Sequence, residues 1–98
     1  LTALTDHAPD FAEGWNQRAI VWFHLGRFGQ SVDDIRRTLA LNPRHFAAMV
    51  GFAAILEAME RPEQALEVYR AALAIHPHLE GVDEAVKRLE TVVAGQDI

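Results

Sequence analysis

The chain has 98 residues, half of them hydrophobic, and its formal net charge of −5 argues against a nucleic-acid partner, because surfaces that bind nucleic acids are usually basic. This length predicts a single domain, and no run of about 18 apolar residues is present that would insert into a membrane. Cysteine is absent, which excludes disulfides and thiolate metal sites and leaves the cytoplasm, as the default, and the periplasm both open.

Three of the four prolines are evenly spaced along the chain. Pro9, Pro43 and Pro77 follow one another at intervals of 34 residues. A proline cannot continue a helix, and it biases the residue before it away from helical geometry. Because this interval is the length of one helix–turn–helix repeat, the spacing predicts an all-α chain built of stacked helical hairpins.

Five helices are expected in chain order, separated by these prolines and by turn residues. Gly26 follows the first helix, where a left-handed cap is common. Pro62 suits the first turn of the fourth helix, where its missing N–H is not needed. The last helix has one apolar stripe, which is typical of a helix that caps an array. The predicted helices cover residues 11–25, 29–41, 45–59, 62–75 and 80–94.

Two consecutive segments of equal length align with each other, residues 12–45 with residues 46–79. Small residues fall on small ones, and large apolar residues fall on large ones. The small pairs are Ala19 with Ala53, Ser31 with Ala65, and Thr38 with Ala72. Small side chains at such positions let helix axes approach to about 8–10 Å. We therefore expect close helix contacts there, with Trp15 and Trp22 mostly buried between helices.

The recurring residues form a familiar pattern. They are Trp15, Arg18, Ala19, Trp22, Ser31, Ile35, Thr38 and Pro43, and then Met49, Phe52, Ala53, Leu56, Ala65, Tyr69, Ala72 and Pro77. This pattern resembles the tetratricopeptide repeat. The resemblance implies a right-handed α-α superhelix, a solenoid of two complete helix–turn–helix repeats and a C-terminal capping helix. The chain departs from the family at Arg18, where leucine is favoured, and at Ser31 and Thr38, whose hydroxyls are expected to bond the carbonyl one turn earlier.

The resemblance covers the whole chain as a single domain. Its expected parts are residues 1–9, the end of a truncated preceding repeat; residues 12–45 and 46–79, the two repeats; and residues 80–94, the capping helix. On this interpretation the chain is a piece of a longer protein. Arginine greatly outnumbers lysine, which occurs only at Lys87, and this composition suggests a bacterial source.

No group of residues predicts catalysis, a metal site or a cofactor. His76 and His78 flank a turn proline and have no third ligand at a suitable spacing, so we interpret them as polar turn residues. The neighbouring carboxylates Asp33 and Asp34 have no serine or histidine partner at a fixed spacing. The same holds for the pair formed by Glu57 and Glu60. We interpret all four carboxylates as surface charge and expect no enzymatic activity.

Oppositely charged residues also recur at helical spacing. Asp33 is followed by Arg36 and Arg37, and Glu84 is followed by Lys87 and Arg88. Residues three or four positions apart are neighbours on a helix, and each such pair stabilises it by only a few tenths of a kcal/mol, roughly 0.2–0.5. These residues are therefore expected to form solvated helix faces.

In the family that the chain resembles, the first helix of each repeat lines a concave groove. The corresponding residues are Glu13, Asn16, Ile20, Phe23 and His24; then Ala47, Val50, Ala54, Glu57 and Ala58; and, in the capping helix, Glu84 and Arg88, or Asp83 and Lys87 if the register shifts by one residue. This surface is apolar at its middle and acidic at its margins. A peptide helix with apolar anchors and a basic flank would fit it.

The resemblance implies a protein–protein interaction scaffold that binds a peptide or partner protein in this groove. The alternative is a non-catalytic arm of a larger enzyme or of a secretion or assembly component, which packs on neighbouring domains. A homodimer of the isolated chain through its N-terminal end, around Phe11, Trp15 and Trp22, is a further expectation, because uncovered apolar patches find other surfaces.

Two ligand types known in the family are not expected. Domains that clamp the C-terminal carboxylate of heat-shock chaperones use lysine, asparagine and arginine at fixed groove positions. Those positions here carry Asn16, Ile20, Gly51, Gly81 and Ala85, so no cation is present. The glycosyltransferase-type superhelix has a ladder of asparagines, and the matching residues here are Gln17, Gly51 and Ala85.

Overall fold

The computed structural model describes residues 11–96, and within this range the chain forms five α-helices and no β-strand. The helices are α1 (Phe11–His24), α2 (Phe28–Leu41), α3 (Phe46–Ala58), α4 (Pro62–Ile75) and α5 (Val82–Gln96). Every end lies within two residues of its predicted position, and the all-α prediction is confirmed. The predicted end of a preceding repeat, residues 1–9, lies outside the described residues. None of the described helices has the length and apolar character needed to cross a bilayer.

The chain divides into two compact units, of which the first ends at Ala48 and the second begins at Met49. This boundary falls inside α3. The first unit therefore contains α1, α2 and the first residues of α3, and the second contains the rest of α3 together with α4 and α5. Each unit has its own buried residues.

In the first unit, α1 and α2 form a helical hairpin that is tightest where its side chains are smallest. Ala19 is 2% exposed, and the Ser31 hydroxyl donates a hydrogen bond to the Ala19 carbonyl oxygen at 2.7 Å. This bond joins two helices, so the prediction that Ser31 bonds one turn earlier on its own helix is wrong. The same prediction is confirmed for Thr38, whose hydroxyl donates to the Asp34 carbonyl oxygen at 2.9 Å. The Ser31 bond requires α1 and α2 to approach closely.

A buried carboxylate on α2 holds two arginines on one face of this hairpin. The Asp34 side chain is 1% exposed, and Arg18 on α1 donates to it from Nε at 2.7 Å and from Nη2 at 3.0 Å. Arg37, one turn along α2, donates to the same carboxylate at 2.9 Å. Arg37 thus bonds Asp34, and the expected neighbour pair of Arg37 with Asp33 is not observed. The interpretation of Asp34 as surface charge is wrong, because Arg18 reaches it from another helix.

The two arginines also cover the ring of Trp15. The guanidinium carbons of Arg18 and Arg37 each lie 4.9 Å from the Trp15 ring centroid, within the range of a cation–π contact. Trp15 and Trp22 are both half-buried, so they are less buried than the sequence predicts. Part of the cover over Trp15 is polar: the two half-exposed guanidinium groups lie against its ring.

Two opposing effects set the pKa of Asp34. Burial raises the pKa of this carboxyl, but the hydrogen bonds and charges of Arg18 and Arg37 lower it by more, so that its pKa lies below the ordinary value for aspartate. The ionised carboxylate is therefore the form that the folded first unit favours. The hydrogen bond to Asp34 likewise raises the pKa of Arg18.

The second unit has one apolar core, to which α3, α4 and α5 all contribute. Its buried members are Ala53, Leu56, Ala65, Leu66, Tyr69, Val82, Ala85 and Leu89. Ala53 and Ala65 are 0% exposed, as their places in the small-residue pairs predict. The apolar stripe of α5 is buried at Val82 and Leu89, whereas Val92 near its end remains 45% exposed.

The turn after α1 is closed by a glycine in the left-handed conformation. Gly26 has a φ of 76°, and the prediction of a left-handed cap there is confirmed. The Gly26 N–H donates to the Phe23 carbonyl oxygen at 2.9 Å, and the Arg27 N–H donates to the Trp22 carbonyl oxygen at 2.8 Å. This pair of bonds is the Schellman motif, which satisfies two carbonyls at the end of a helix.

The turn after α3 has the same motif without a glycine. Glu60 occupies the position that Gly26 has in the first hairpin, and its φ is 60°. The Glu60 N–H donates to the Glu57 carbonyl oxygen at 2.9 Å, and the Arg61 N–H donates to the Leu56 carbonyl oxygen at 2.8 Å. A residue with a β-carbon is strained in this conformation, at a cost of roughly 1–2 kcal/mol.

The strain at Glu60 predicts that Glu60→Gly stabilises the protein. Glycine adopts a positive φ without this strain, although its greater freedom in the unfolded chain offsets part of the gain. We expect an increase of about 1 kcal/mol in the free energy of unfolding, measured by chemical denaturation. Gly26→Ala is the control, since an added β-carbon there meets no atom within 4 Å and changes only the conformational preference. Gly26→Ala should destabilise, and a loss of stability in Glu60→Gly would contradict this account.

The lowered pKa of Asp34 predicts a pH-dependent contribution to stability. A carboxyl whose pKa falls on folding stabilises the protein at pH values above its unfolded pKa, about 3.9, and this contribution is lost as the pH falls through the lower folded value. Asp34→Asn should therefore lower the thermal midpoint by several degrees at neutral pH. The difference from the unaltered chain should shrink steadily below about pH 4.

The neighbouring carboxylate provides the control for this experiment. Asp33 is exposed, and no ion pair joins it to another residue within the described part of the chain. Asp33→Asn should leave the midpoint nearly unchanged across the same pH range. If Asp33→Asn and Asp34→Asn lower the midpoint equally, the buried cluster does not stabilise the first unit.

Candidate functional site

Three of the predicted groove residues, Ile20, Phe23 and His24, lie near the end of α1. Ile20 is 42% exposed. Phe23 is half-buried, and its ring centroid lies 5.6 Å from that of Phe28 at the start of α2. His24 is exposed and meets the Phe23 ring edge-on, also with 5.6 Å between centroids. Ring contacts on two sides thus fix Phe23, while much of Ile20 remains accessible to solvent.

Glu13, at the other end of α1, is fixed by side-chain hydrogen bonds. Gln17 donates to one carboxylate oxygen at 2.9 Å, and His45 Nε2 lies 3.2 Å from the other. The hydrogen bond from Gln17 lowers the pKa of the Glu13 carboxyl; partial burial opposes this effect, and His45 and Asn16 add to it. Asn16 is itself only 3% exposed, so its amide acts by supporting Glu13 and is scarcely accessible at the surface.

His45 joins this group from the turn before α3. Its Nδ1 accepts a hydrogen bond from the Ala48 N–H at 3.1 Å, one of the first-turn N–H groups that lack a carbonyl partner within a helix. Because Nδ1 is an acceptor, the ring proton lies on Nε2, which donates to Glu13. Glu13, His45 and Ala47 line a cleft of about 190 Å³. No motif in the sequence singles out His45, although capping residues occur directly before a helix.

In the second unit, two predicted groove residues meet in an ion pair. Arg88 Nη2 on α5 donates to both carboxylate oxygens of Glu57 on α3, at 2.6 and 3.0 Å. This hydrogen bond, reinforced by the opposite charge, raises the pKa of Arg88. Glu84 is exposed, and the expected neighbour pair of Glu84 with Arg88 is not observed. Arg88 therefore pairs with a carboxylate on another helix and not with the acidic neighbour on its own helix.

Tyr69 on α4 lies near the same carboxylate, at the edge of the core. The side chain is 6% exposed, and this burial raises the pKa of its phenol. The negative charge of Glu57 and the hydrogen bond between the two side chains raise it further. The Glu57 carboxylate thus lies close to a buried phenol and is hydrogen-bonded by Arg88. Sequence reasoning placed Tyr69 only in the repeat pattern.

The other predicted residues of α3 and α5 differ in accessibility. Val50 is half-buried and packs against the core of the second unit, and Ala54 is also half-buried. Four more are exposed, namely Ala47, Ala58 and the two alternatives from the shifted register, Asp83 and Lys87. In chemical terms, α3 contributes a small apolar surface that ends at the fixed carboxylate of Glu57.

Each unit contains one carboxylate, among its predicted groove residues, that side-chain donors hold in place. Glu13 and Glu57 each receive hydrogen bonds from nitrogen or hydroxyl donors, and accessible apolar surface accompanies them. Within residues 11–96, no three histidine, aspartate or glutamate side chains come together in a way that could hold a metal ion. What the described groups present is fixed charge next to apolar surface.

Comparison with known sequences gives one informative relative. No protein-family model matches the chain. A curated TPR repeat-containing protein of Rhizobium etli is 38% identical over 87 residues, which make up 89% of this chain and 43% of that protein. The chain therefore spans less than half the length of this relative. The bacterial source of the relative agrees with the prediction made from the excess of arginine over lysine.

A solved structure has a closely similar fold. It is the first TPR of Spaghetti (RPAP3), bound to the HSP90 peptide SRMEEVD. The TM-score is 0.80 at 22% sequence identity, and the match covers 89% of this chain and 69% of that one. The likeness confirms the helical-repeat fold that the resemblance implied. The recurring residues, the five helices and these two similarities together confirm the resemblance of the chain to the tetratricopeptide repeat.

Proposed function

We propose that the chain is a protein-interaction module that holds a peptide or protein segment against the first helices of its repeats. The observation that carries this proposal is the accessible side chain of Ile20, which is 42% exposed at a predicted groove position beside the fixed ring of Phe23. Stacked helical repeats typically form extended binding surfaces and have no catalytic residues of their own. The peptide bound to the similar RPAP3 domain supports the same use of this fold.

The charges on the proposed surface favour a partner with basic residues. Glu13, Glu57 and Glu84 supply carboxylates, and Arg88 is already paired with Glu57. The peptide bound to the RPAP3 domain contains two glutamates and one aspartate in its printed sequence, SRMEEVD. The positions at which related domains clamp such carboxylates carry no cation in this chain. We infer that the partner has the opposite charge, with apolar anchors and a basic flank.

Two adjacent residues of α1 provide a matched test. Ile20 is 42% exposed at a groove position, and Val21, the next residue, is 55% exposed on another side of the helix. Peptides that bind the 98-residue chain would be selected from a display library, and their affinities measured by fluorescence polarisation. Ile20→Ser should weaken the selected peptides roughly tenfold, since it removes most of an apolar side chain from the interface. Val21→Ser should leave affinity unchanged.

The same series distinguishes the proposed surface from the opposite one. Arg36 is an exposed residue of α2, a second helix of a repeat. If Arg36→Glu abolishes binding while Ile20→Ser does not, the ligand binds the second helices. If no peptide is selected at all, the result favours the alternative function, in which the chain packs as an arm on neighbouring domains. The chain spans less than half the length of its Rhizobium etli relative, so this alternative function is tested alongside peptide binding.

We also propose that the isolated chain self-associates through the N-terminal end of its first unit. Phe11 is 42% exposed, and the half-buried ring of Trp15 lies between two half-exposed arginines. An uncovered apolar patch can meet its own copy in a twofold contact. Light scattering over a wide dilution series should show a dimer that dissociates on dilution. Arg18→Glu should weaken the dimer, and a monomer at every concentration would refute it.

A further inference from the structure

The second unit has a cleft beside the turn between α3 and α4. Its volume is about 320 Å³, which is at the lower end of the range for ligand sites in proteins. The turn and the start of α4 form one wall, and the second half of α5 forms the other. The lining residues are Glu57, Glu60, Pro62, Leu89, Val92 and Gln96.

The floor of this cleft is apolar and partly open to solvent. Leu89 is 5% exposed and belongs to the core, whereas Val92, one turn further along α5, is 45% exposed. The ring of Pro62 extends the apolar surface at the start of α4. An apolar side chain of a partner would cover Val92 and Pro62 there, and this burial would favour binding because it removes apolar surface from water.

The rim of the cleft is acidic, and its charge is unbalanced. Two carboxylates and no cation are among the lining residues. Arg88 neutralises Glu57 from outside the lining. Within the described residues, no ion pair or side-chain hydrogen bond engages the Glu60 carboxylate. Glu60 therefore presents the negative charge that a basic group of a partner could pair with.

The backbone at Glu60 shows that the fold itself does not call for this side chain. The same turn in the first hairpin has Gly26, with a φ of 76°, and forms the same two hydrogen bonds. Glycine would relieve the left-handed strain at Glu60. A strained residue persists where the surrounding structure determines it, and such residues cluster at functional sites. At Glu60 the strained backbone position places a carboxylate at the rim of the cleft.

We propose that this cleft binds a partner peptide in which an apolar side chain is followed by arginine or lysine. The apolar side chain packs on Val92 and Pro62, and the basic group pairs with Glu60. The Gln96 amide at the rim can exchange hydrogen bonds with the peptide backbone. This inference rests on the proposed function, and it assigns the basic flank of the partner to a particular place in the second unit.

The probes are three synthetic peptides that differ only at their charged positions. The first contains a leucine followed by two arginines in a glycine–serine background. The second has glutamates in place of the arginines, and the third has glutamines. Affinities for the 98-residue chain are measured by fluorescence polarisation at two salt concentrations. We expect the arginine peptide to bind best and to lose affinity at the higher salt concentration, because salt screens exposed ion pairs.

Three variants test the contacts. Glu60→Gln removes the charge, keeps the size of the side chain and should weaken the arginine peptide about two- to fivefold, as expected for one exposed ion pair. Val92→Ser should weaken the arginine and glutamine peptides by a similar factor, because it removes part of the apolar floor. Glu63→Gln is the control: Glu63 is an exposed acidic residue nearby that does not line the cleft, and its substitution should have no effect.

The outcomes separate this proposal from the broader one. If Glu60→Gln and Glu63→Gln weaken the arginine peptide equally, general charge attraction explains binding and the cleft proposal is wrong. The proposal is also wrong if the glutamate peptide binds as well as the arginine peptide. If Ile20→Ser weakens the library-selected peptides while Glu60→Gln and Val92→Ser leave the arginine peptide unaffected, the proposed function stands without the cleft. The cleft proposal is supported if Glu60→Gln and Val92→Ser both weaken the arginine peptide and Glu63→Gln does not.

Discussion

The helices within each hairpin approach so closely that only the smallest side chains fit at their contact. In the first unit this contact is made by Ala19 and Ser31, and the Ser31 hydroxyl reaches the backbone of the other helix at 2.7 Å. In the second unit Ala53 and Ala65 are both fully buried. Because larger groups cannot enter these contacts, they lie on the remaining faces of the helices.

The sequence predicted the elements of the fold well, and the reason is that the decisive signals are local. A proline cannot continue a helix beyond its first turn, and Gly26 favours the left-handed cap that the structure has. The small residues recur at a fixed interval, so their burial followed from aligning the two segments. These features depend on backbone chemistry and on spacing, and neither requires knowledge of distant contacts.

The sequence did not predict contacts that depend on how far a long side chain reaches. Asp34 looked like surface charge until Arg18, sixteen residues away and on another helix, was seen to bind it. The one available signal was an arginine at a position where the family favours leucine. In the same way, Arg88 has an acidic neighbour on its own helix but pairs with Glu57, thirty-one residues away. Several rotatable bonds separate a guanidinium from its backbone, so spacing along a helix does not determine its partner.

The candidate site was only partly visible in the sequence for a related reason. The repeat pattern predicted which positions would line a groove, but it did not indicate which of their side chains are accessible. Asn16 is 3% exposed, whereas Ile20 is 42% exposed. Glu57 is hydrogen-bonded by Arg88 from another helix, thirty-one residues further along the chain. Accessibility and rigidity are properties of the packed unit, and they emerge only when neighbouring helices are present.

The distribution of aromatic residues gives each unit its own spectroscopic signal. Both tryptophans, Trp15 and Trp22, lie in the first unit, and the one tyrosine of the chain, Tyr69, lies buried in the second. Tryptophan fluorescence therefore reports on the first unit, and the near-ultraviolet circular dichroism of the buried Tyr69 ring reports on the second. The order in which the two units open during denaturation can be read from the unlabelled protein, without introducing a foreign probe.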